Sequence, residues 1–415
     1  MKTDKYDVLI IGGGASGLSA AISAKRTNKK ASVAVVERLS KTGKKILATG
    51  NGRCNLSNAV LDPNKYIGSC ANFLRSTADF SVAGFFESLG VICEDDGYGR
   101  IYPRCRSAAS VLDALRLECA GLGVEEICDT AITDIDTADG FILHSAKGDI
   151  FARSVILAGG GKSQSALGSD GSVLGICSRL GIEIREPAPV LVPLKTDPSL
   201  VKPLKGQRAD AVVEYWGYIP TAFGMRCAGS ERGEVQFTDG LISGICVFDL
   251  SRFYEGFQYK KNAELRLDML PDISENEVTK LLYETRKIRK NAPAEDFLSG
   301  IFTKPMGIYL LKRTYEKLPD RTKDITEPER LTKTIKSLSF PIKGTAGFER
   351  SQATSGGIIY YELTERYELK RFKGMYACGE LLDICGCCGG YNLDFAFSSG
   401  AQAGKYAASD LYRRS

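Results

Sequence analysis

Histidine is nearly absent from this chain, whose 415 residues include one, at position 144. Catalytic triads and many metal sites use histidine, so both are improbable, and we predict no bound metal. His144 itself lies in the alternating stretch Gly140–Ser145, which predicts a solvated position on a hairpin strand. Any acid–base chemistry must therefore fall to Tyr, Cys, Lys, Asp or Glu side chains, or to a cofactor.

Long hydrophobic runs are also missing. No stretch approaches the roughly 20 apolar residues that cross a membrane, and no region like a signal peptide precedes the first apolar run, at Val8–Ile11. Without a secretory segment, the thirteen cysteines indicate reduced thiols, and no four of them have the spacing of a zinc site. We therefore expect a cytoplasmic protein.

The chain also lacks a concentration of positive charge. Its net charge is +5, and its Lys and Arg residues are scattered along the sequence. A protein that binds nucleic acid usually carries a dense basic patch. The composition therefore favours a small-molecule substrate over a nucleic acid or a membrane, and it leaves the oligomeric state open.

The chain does have a glycine motif between a strand and a helix near its start. Gly12, Gly14 and Gly17 follow a short apolar strand and precede an apolar-periodic helix. The first glycine permits a tight turn, the second lets the backbone approach a pyrophosphate, and the third lets the helix pack on the strand. A second strand, Ser32–Val36, ends at Glu37, whose carboxylate is placed to accept a ribose hydroxyl. This unit predicts a dinucleotide-binding site at the start of the helix.

A loop rich in glycine and asparagine, Gly43–Asn58, follows that acid. Both residue types favour turns and positive φ angles, so this segment is neither a regular helix nor a core strand. Such a loop is expected to run along the cofactor, with Arg53 as a partner for phosphate or flavin. A solvated surface loop is the alternative. Candidate cofactor contacts in and beside this loop are Arg38, Lys45, Asn51, Arg53 and Cys54.

The middle of the chain continues this domain. Residues 75–122 are predicted to be helical, with a turn at Asp95–Pro103. Four short strands then form a β-meander, and the last of them ends at Gly159–Gly161, where a Rossmann-type sheet meets its ligand. These strands are predicted at residues 123–127, 131–135, 141–144 and 152–158.

After residue 190, prolines punctuate extended segments, and strand-like and then charged helical patterns follow. They predict an insertion with a β part and a helical part. The strands are expected at residues 211–216 and 234–238, and the helices at 274–290 and 305–336. We predict a discontinuous dinucleotide-binding domain (1–190 and 346–415), a β-rich insert (191–270) and a helical insert (271–345).

The C-terminal stretch distinguishes flavin from nicotinamide. A short apolar strand, Met375–Cys378, stops at Gly379 and Glu380, and Gly389–Asp394 then leads into a helix rich in small residues. Two-domain flavoproteins close their FAD site with this pattern. The acid lies near the ribityl chain and the pyrophosphate, and the helix N-terminus stabilises negative charge on reduced flavin. The small residues allow the last helix to pack closely on the first. We therefore predict FAD as the cofactor.

Four segments together resemble the aminoacetone oxidase-like family of bacterial FAD flavoproteins, which also contains a reductase of 3-dehydro bile acids. They are the Gly43–Asn58 loop, the strand ending at Gly159–Gly161, and the stretches Gly379–Asp383 and Gly389–Gly400. The resemblance spans essentially the whole chain and implies an α/β fold. This fold is a Rossmann-type (glutathione-reductase-like) FAD domain built from both chain ends, with an inserted β-barrel-like domain and a helical domain.

The resemblance also implies FAD contacts, residue by residue. Ile132 is expected in the strand whose backbone meets the adenine. The other implied contacts are Gly12, Gly14, Ala15, Ser16, Gly17, Glu37, Arg53, Gly379, Glu380, Asn392 and Leu393. This chain departs from the family at Cys385–Cys388, where relatives more often carry acidic and small residues, and the departure predicts a different substrate preference.

The cysteines at 385, 387 and 388 raise the alternative of a redox pair. Their spacing is not C-x-x-C, and no histidine is available to activate a thiolate. We interpret them as small buried residues that fill a tight loop, and we interpret Cys54 and Cys378 in the same way.

Hydride transfer is the flavin's own chemistry, so the protein must position the substrate and supply a proton. Tyr391 is the first candidate proton donor and Tyr102 the second, although a buried tyrosine more often has a structural role. A second G-x-G-x-x-G unit is missing. NAD(P)H would therefore have to visit the flavin from the substrate side and leave before the substrate arrives.

Three functions remain open. The first is a reductase in which NAD(P)H supplies electrons, through FAD, to a C=C bond conjugated to a ketone, as in a 3-oxo bile acid or a steroid dienone. The second is an oxidase of an aminoketone such as aminoacetone, with oxygen as the electron acceptor. The third is a flavin-binding protein of nucleic-acid metabolism, which the scattered basic residues disfavour. We favour the reductase.

Overall fold

The chain divides into two compact units. The computed structural model describes residues 5–69, 71–77, 79–138, 140–219, 224–255 and 260–411. The first unit comprises the chain up to Pro189 together with the chain from Gln352 onward, and the second runs from Val190 to Ser351. The finer division of the insertion into a β-rich and a helical domain stays a prediction.

The strands and helices are numbered in chain order. The strands are β1 (Lys5–Ile11), β2 (Val33–Val36), β3 (Ser57–Asn58), β4 (Tyr66–Gly68), β5 (Cys93–Asp95), β6 (Arg100–Pro103), β7 (Glu125–Ile127), β8 (Ile132–Asp136), β9 (Phe141–Ser145), β10 (Ile150–Leu157), β11 (Ile184–Val190), β12 (Leu194–Lys195), β13 (Arg208–Ile219), β14 (Gly224–Thr238), β15 (Leu241–Ser243), β16 (Glu264–Asp268), β17 (Leu338–Pro341), β18 (Gly344–Thr345), β19 (Ala353–Ile358), β20 (Met375–Ala377) and β21 (Ile384–Gly386). The α-helices are α1 (Ala15–Thr27), α2 (Ala71–Thr77), α3 (Val82–Glu87), α4 (Ala108–Gly121), α5 (Ser172–Arg179), α6 (Pro198–Val201), α7 (Ile245–Glu255), α8 (Glu275–Ile288), α9 (Lys304–Thr314), α10 (Pro328–Lys336) and α11 (Tyr391–Asp410).

The main sheet of the first unit has the order β7-β2-β1-β10-β9-β8. β1 pairs in parallel with β2 and β10, and β20 pairs in parallel with the second half of β10. β2 and the second half of β1, Val8–Ile11, are continuous apolar runs because a parallel sheet is covered on both faces. The carboxyl ends of β1, β2, β10 and β20 therefore lie along one edge, which confirms the predicted α/β class with a Rossmann-type sheet.

The first and last helices pack closely on one another, as their small residues predict. A Cβ atom at Gly400 would lie 2.2 Å from the carbonyl oxygen of Ser16, and one at Gly404 would lie 2.1 Å from that of Ala20. Both distances are far below van der Waals contact, so only glycine allows the helix axes to come this close. The two ends of the chain thus form one core.

Two local predictions for the first unit are wrong. The turn predicted at Asp95–Pro103 and the end of the helix predicted before it instead form the hairpin of β5 and β6. Its strands are too short to show a period-2 pattern in the sequence. β7 was placed in a four-stranded meander but pairs in parallel with β2, so the meander consists of β8, β9 and β10 only.

The second unit contains an antiparallel sheet of order β17-β16-β13-β14-β15-β12-β18. Tyr215, Phe237 and Phe340 are fully buried on it, and they belong to one hydrophobic cluster that also includes residues of α8, α9 and α10. A capping box begins α8, in which the hydroxyl of Ser274 accepts the N–H of Glu277 and the Glu277 carboxylate accepts the N–H of Ser274. The predicted helix at 305–336 is two helices, α9 and α10.

Candidate functional site

The glycine motif forms the turn from β1 into α1, and its three glycines differ in surroundings. Gly12 has φ +105°, and a Cβ there would lie 2.5 Å from the carbonyl oxygen of Ala158. A Cβ at Gly17 would lie 1.8 Å from the carbonyl oxygen of Gly12, whereas one at Gly14 meets nothing within 4 Å. Two glycines are therefore required by packing, and the third leaves open space at the N-terminus of α1. An incoming phosphate needs that space together with the free N–H groups of the first helical turn.

Glu37 joins the end of β2 to this turn. Its carboxylate accepts the N–H of Gly13 and the N–H of Leu39, both at 2.9 Å. A carboxylate has about four acceptor positions, so capacity for a ribose hydroxyl remains. The backbone of Glu37 also bonds to Ile127 and Thr130, which brings the start of β8 toward the same place. Ile132, predicted to lie near the adenine, is the first residue of β8.

Arg38, the next residue, is held in place by an ion pair and a hydrogen bond, but one of its donor atoms has no hydrogen-bond partner among the described residues. Its guanidinium pairs with Asp170 and donates to the carbonyl oxygen of Ser165 at 3.1 Å. Its Nε is buried and has no hydrogen-bond partner among the described residues. A buried donor without a partner beside an open turn fits a site that receives an acceptor-rich ligand such as a dinucleotide.

Lys45 and Glu380 come together from opposite ends of the chain. The Lys45 Nζ lies 2.8 Å from Glu380 Oε2, and Glu380 Oε1 accepts the N–H of Thr354 at 2.8 Å. Gly379 has φ +69°, and a Cβ there would lie 2.5 Å from the hydroxyl oxygen of Ser16. The structure therefore brings four predicted cofactor residues to the carboxyl ends of β1 and β20, next to the glycine turn.

The Gly43–Asn58 loop begins at the glycine turn and ends against the start of α11. The Gly43 N–H donates to the carbonyl oxygen of Gly13 at 2.7 Å. With its amide oxygen toward Gly390, Asn55 accepts that residue's N–H at 3.0 Å, and Asn58 Nδ2 donates to the carbonyl oxygen of Gly389 at 2.9 Å. These bonds hold the loop to the N-terminal end of α11.

Sequence reasoning missed one residue pair at this junction. The hydroxyl of Ser57 donates to the carboxyl of Asp394 at 2.5 Å, and Asp394 is 4% exposed. Burial raises the pKa of the Asp394 carboxyl to about 6, although the Ser57 bond lowers it. The available signal was an acid directly before the predicted helix. Because α11 begins at Tyr391, Asp394 instead lies within its first turn.

Asn392 and Leu393 occupy the same turn of α11. The Asn392 side chain accepts the N–H of Gly386 and donates to the carbonyl oxygen of Gly386, both at 2.8 Å. It thereby holds the cysteine-containing loop. The main-chain N–H groups of this turn lie at the start of α11, and the first N–H groups of a helix have no intrahelical partner.

The remaining predicted loop residues are more exposed, apart from Cys54. Asn51 is exposed with φ +55°, and Arg53 donates through Nε to the carbonyl oxygen of Gly50 at 3.2 Å. The guanidinium of Arg53 lies 5.7 Å from the ring centre of Tyr102. Cys54 is fully buried, and burial raises the pKa of its thiol to about 11. At neutral pH Cys54 is therefore an un-ionised packing residue.

The two candidate proton donors sit in different surroundings. The Tyr391 hydroxyl donates to the carbonyl oxygen of Val60 at 3.1 Å, and its ring meets Tyr66 edge-on at 5.4 Å. Tyr102 lies in β6 with Arg106 4.5 Å from its ring centre. Tyr391 is the first residue of the α11 turn described above, whereas Tyr102 lies in the β5–β6 hairpin.

The cysteine loop has the properties of packing rather than redox chemistry. Cys385 is 1% exposed and Cys387 is 2% exposed, and no disulfide forms among the described cysteines. Burial also raises the pKa of the Cys378 thiol to about 12. No group of three or more His, Cys, Asp and Glu residues in the described parts of the chain is arranged to hold a metal ion.

His144 lies on β9, where a hairpin strand was expected. Its Nδ1 is 2.8 Å from a carboxylate oxygen of Asp149, and its Nε2 is 3.1 Å from one of Asp136. These two hydrogen bonds raise its pKa. The single histidine is thus a structural surface residue. None of the helices among the described residues is both long and apolar enough to span a bilayer.

Comparisons with known proteins agree on one family. The family model described as HI0933-like protein Rossmann domain matches residues 6–406. A 3-dehydro-bile acid delta(4,6)-reductase of Clostridium scindens is 36% identical over 408 residues, which are 96% of this chain and 98% of the relative. A ribosomal RNA dihydrouridine synthase of Escherichia coli K12 is 25% identical over 412 residues, which are 95% of this chain and 96% of the relative.

A solved structure agrees in fold only. A quinol-fumarate reductase with menaquinol molecules is 16% identical, with a TM-score of 0.52, and the match covers 100% of this chain and 73% of the other. At this identity the likeness concerns architecture and not substrate.

Proposed function

The chain belongs to the HI0933-like protein family and is a flavin-dependent oxidoreductase, and we propose that it reduces a C=C bond conjugated to a ketone. The proposed substrate class is a 3-oxo bile acid or a steroid dienone, and the proposed electron donor is NAD(P)H. One observation carries the proposal: the relative named a 3-dehydro-bile acid delta(4,6)-reductase is similar along almost the whole of both chains.

The proposed cofactor is FAD, which when bound supplies a hydride to the substrate and takes up two electrons from the nicotinamide. The open turn at Gly14 receives the pyrophosphate at the N-terminus of α1. Glu37 accepts the adenosine ribose hydroxyls, and Arg38 supplies its unpaired Nε to the same half. Glu380, held by Lys45, would bind the ribityl chain.

The first turn of α11 supports the flavin end. Its N–H groups carry the positive end of the helix dipole, which stabilises negative charge on the pyrimidine edge. The Gly43–Asn58 loop fixes the position of that turn through Asn55, Ser57 and Asn58. A fixed donor turn needs no rearrangement during the reaction, so its stabilisation is available at once.

Reduction of a conjugated C=C bond needs a proton as well as a hydride, because the hydride goes to the β-carbon and the α-carbon must then be protonated. We propose Tyr391 as the donor. In the proposed reaction its hydroxyl gives up the hydrogen bond to the Val60 carbonyl oxygen, which is 3.1 Å away, and donates to the substrate instead. Tyr102, in β6, is the second candidate.

The decisive experiment is anaerobic spectroscopy of the purified, FAD-loaded protein. NADH or NADPH is expected to bleach the flavin absorbance, and a 3-oxo-4,6-diene bile acid is expected to restore it. If the nicotinamides have no effect while aminoacetone bleaches the flavin and oxygen restores it, the protein is instead an aminoketone oxidase. A protein that takes up no FAD would contradict the whole proposal.

A second candidate substrate is a uridine in ribosomal RNA, because a relative of the same length carries that activity in its name. The chemistry is closely related, since the C5=C6 bond of uracil is conjugated to a carbonyl. The test is to incubate the reduced, FAD-loaded protein with unmodified ribosomal RNA and to measure nucleoside masses. A gain of two hydrogen atoms on uridine, with no reduction of the dienone, would favour this candidate over the steroid.

A further inference from the structure

Three large apolar side chains are exposed on two neighbouring segments of the first unit. Val60 and Leu61, in the loop between β3 and β4, are 69% and 40% exposed, and Tyr98, in the turn between β5 and β6, is 83% exposed. Val60 and Leu61 are the only consecutive pair among the exposed large apolar side chains of the described residues. We call these three residues the apolar ledge. Its two segments, residues 57–69 and 93–103, lie wholly within the described chain.

Main-chain pairing brings the two segments of the ledge together. Asn58 is paired with Arg100 in the register of β3 and β6, and the N–H of Ala59 donates to the carbonyl oxygen of Gly99 at 2.7 Å. Val60 and Tyr98 are the next residues beyond this bonded pair. Both therefore lie at the same end of the hairpin, as neighbours on adjoining segments.

Further hydrogen bonds fix the backbone of the ledge. The N–H of Val60 donates to Asn58 Oδ1 at 3.0 Å, and Asn58 Nδ2 donates to the carbonyl oxygen of Gly389 at 2.9 Å. The Tyr391 hydroxyl donates to the carbonyl oxygen of Val60 at 3.1 Å. Single exposed apolar residues are common on protein surfaces, but a group of them marks a binding surface more often. This group is also held in a fixed place, next to the start of α11.

The Tyr391 hydroxyl connects the ledge to the proposed reaction. In the structure it is bonded to the main chain of Val60, and to protonate a substrate it must leave that oxygen. The atom that takes the proton then occupies a position beside Val60. A substrate that extends from this position comes within van der Waals reach of the ledge.

The charges near the ledge disfavour a polyanion. Residues 57–69 and 93–103 together contain four carboxylates and two basic side chains. One of these basic residues, Arg100, is already paired with Asp96 at 2.7 Å. A polynucleotide backbone is bound mainly by lysine and arginine. A ring system with an apolar face therefore fits this surface better than a phosphate chain does.

From this geometry we propose that the apolar ledge binds the ring system of the substrate, so that Val60, Leu61 and Tyr98 determine a preference for large apolar ketones. The inference rests on the proposed reduction and specifies where its substrate lies. The ledge contributes binding only and supplies neither the hydride nor the proton. Apolar burial stabilises a complex in proportion to the area removed from water, so a steroid dienone gains more from the ledge than aminoacetone does.

The test is equilibrium dialysis of the oxidised, FAD-loaded protein against a radiolabelled 3-oxo-4,6-diene steroid, with no NAD(P)H present. We expect Val60→Ser/Leu61→Ser to raise the dissociation constant at least about tenfold, because two apolar contacts are lost. In turnover, KM should rise by a similar factor and kcat should change less. The FAD content and the rate of flavin reduction by NAD(P)H should stay as in the wild type, since the main chain of Val60 is retained.

Two matched variants identify the cause of the change. Val60→Ile/Leu61→Met keeps the ledge apolar and should bind the steroid within about threefold of the wild type. Leu117→Ser/Ile288→Ser removes two apolar side chains that are at least as exposed as Val60 but lie at the C-terminal ends of α4 and α8. It should bind within about twofold of the wild type.

Three results would overturn the inference in a protein that reduces the dienone. They are unchanged binding in the serine variant of the ledge, equal weakening in the Leu117/Ile288 variant, and equal weakening in the apolar variant of the ledge. Binding of the steroid by the wild type without reduction would instead contradict the proposed function alone. Binding of unmodified ribosomal RNA, with no binding of the steroid, would contradict both.

Discussion

The glycine turn and the junction between the Gly43–Asn58 loop and α11 serve the same site but are built differently. The turn depends on the absence of side chains, because a Cβ at Gly12 would meet the backbone of Ala158 and a Cβ at Gly17 would meet the backbone of Gly12. The junction depends on the side chains of Asn55, Ser57, Asn58 and Asp394, and it joins segments more than 300 residues apart. The glycine turn can be recognised in the sequence as a local motif, whereas the junction forms only when distant segments of the chain come together. Four predictions test this difference, from the largest expected effect to the smallest.

Within the turn, Gly17→Ala should have the largest effect. Its Cβ would lie 1.8 Å from the carbonyl oxygen of Gly12, so we expect a loss of about 3 kcal/mol in the free energy of unfolding of the FAD-free protein. Gly14→Ala is the control. Its Cβ meets nothing within 4 Å, so it should leave that free energy nearly unchanged while it weakens FAD binding. Denaturant unfolding measures the loss of stability in each variant, and FAD titration measures the loss of cofactor binding. Equal losses of stability in Gly17→Ala and Gly14→Ala would contradict the different roles given to the two glycines.

At the junction, Tyr391→Phe tests the proposed proton donor. We expect substrate reduction to slow on the order of a hundredfold, with FAD content and the rate of flavin reduction by NAD(P)H unchanged. Tyr66→Phe is the matched control, because that hydroxyl donates to the main-chain carbonyl oxygen of Tyr391 at 3.2 Å. If Tyr391→Phe reduces the substrate at the wild-type rate, the Tyr391 hydroxyl is not the proton donor. Its role is then structural, through the hydrogen bond to the Val60 carbonyl oxygen.

Asp394→Asn tests the buried acid of the junction. Burial raises the folded-state pKa of Asp394 to about 6, above the value of about 4 in the unfolded chain. The acid therefore stabilises the fold fully below about pH 4, and this contribution is lost as the pH rises through about 6. Relative to wild type, Asp394→Asn should gain about 2 kcal/mol in unfolding free energy between those pH values.

Two further variants sharpen that measurement, which is denaturant unfolding across pH. Ser57→Ala removes the bond that lowers the pKa of Asp394, so its stability loss should occur at higher pH than in wild type. Asp113→Asn makes the same chemical change at an exposed position of α4 and should reproduce the wild-type pH profile. If Asp394→Asn also follows the wild-type profile, the carboxyl does not titrate as the burial implies.

The smallest effect is expected at Ser154, in the centre of the main sheet. Its hydroxyl is buried and has no hydrogen-bond partner among the described residues, in contrast to the paired hydroxyl of Ser57. Ser154→Ala should raise the free energy of unfolding by about 1 kcal/mol, because an unsatisfied buried group is removed. Ser163→Ala, which loses a bond of 2.9 Å to Thr354, should lower it by a similar amount. A loss of stability in Ser154→Ala would show that this hydroxyl is satisfied.

Much of the fold was predictable because its signals are local. The strands β1, β2, β10 and β20 contain short apolar runs, which end near glycine in β1, β10 and β20, and the small residues of α11 indicate its close packing on α1. The hairpin of β5 and β6 and the parallel pairing of β7 were not predicted. Strands of three or four residues carry too little periodicity, and a strand's partner depends on the tertiary fold.

The predicted residues of the candidate site also divide into those set by local sequence and those whose contacts depend on the tertiary fold. Gly12, Gly14 and Gly17 have the surroundings that their spacing implies, because a tight turn is decided by the residues within it. Tyr391 is predicted as a proton donor because it lies beside the predicted flavin loop, but its bond to the Val60 carbonyl oxygen was not foreseeable. Whether these residues contact FAD stays a prediction, which the Gly14→Ala titration addresses.

By itself, the sequence determined the class of the fold and the place of the glycine turn, since both follow from residue types at short spacing. Only the tertiary structure decided that Lys45 pairs with Glu380 and that Ser57 meets a buried Asp394. The physical reason is that burial and pairing of charge depend on distances between chain segments, which no local pattern encodes.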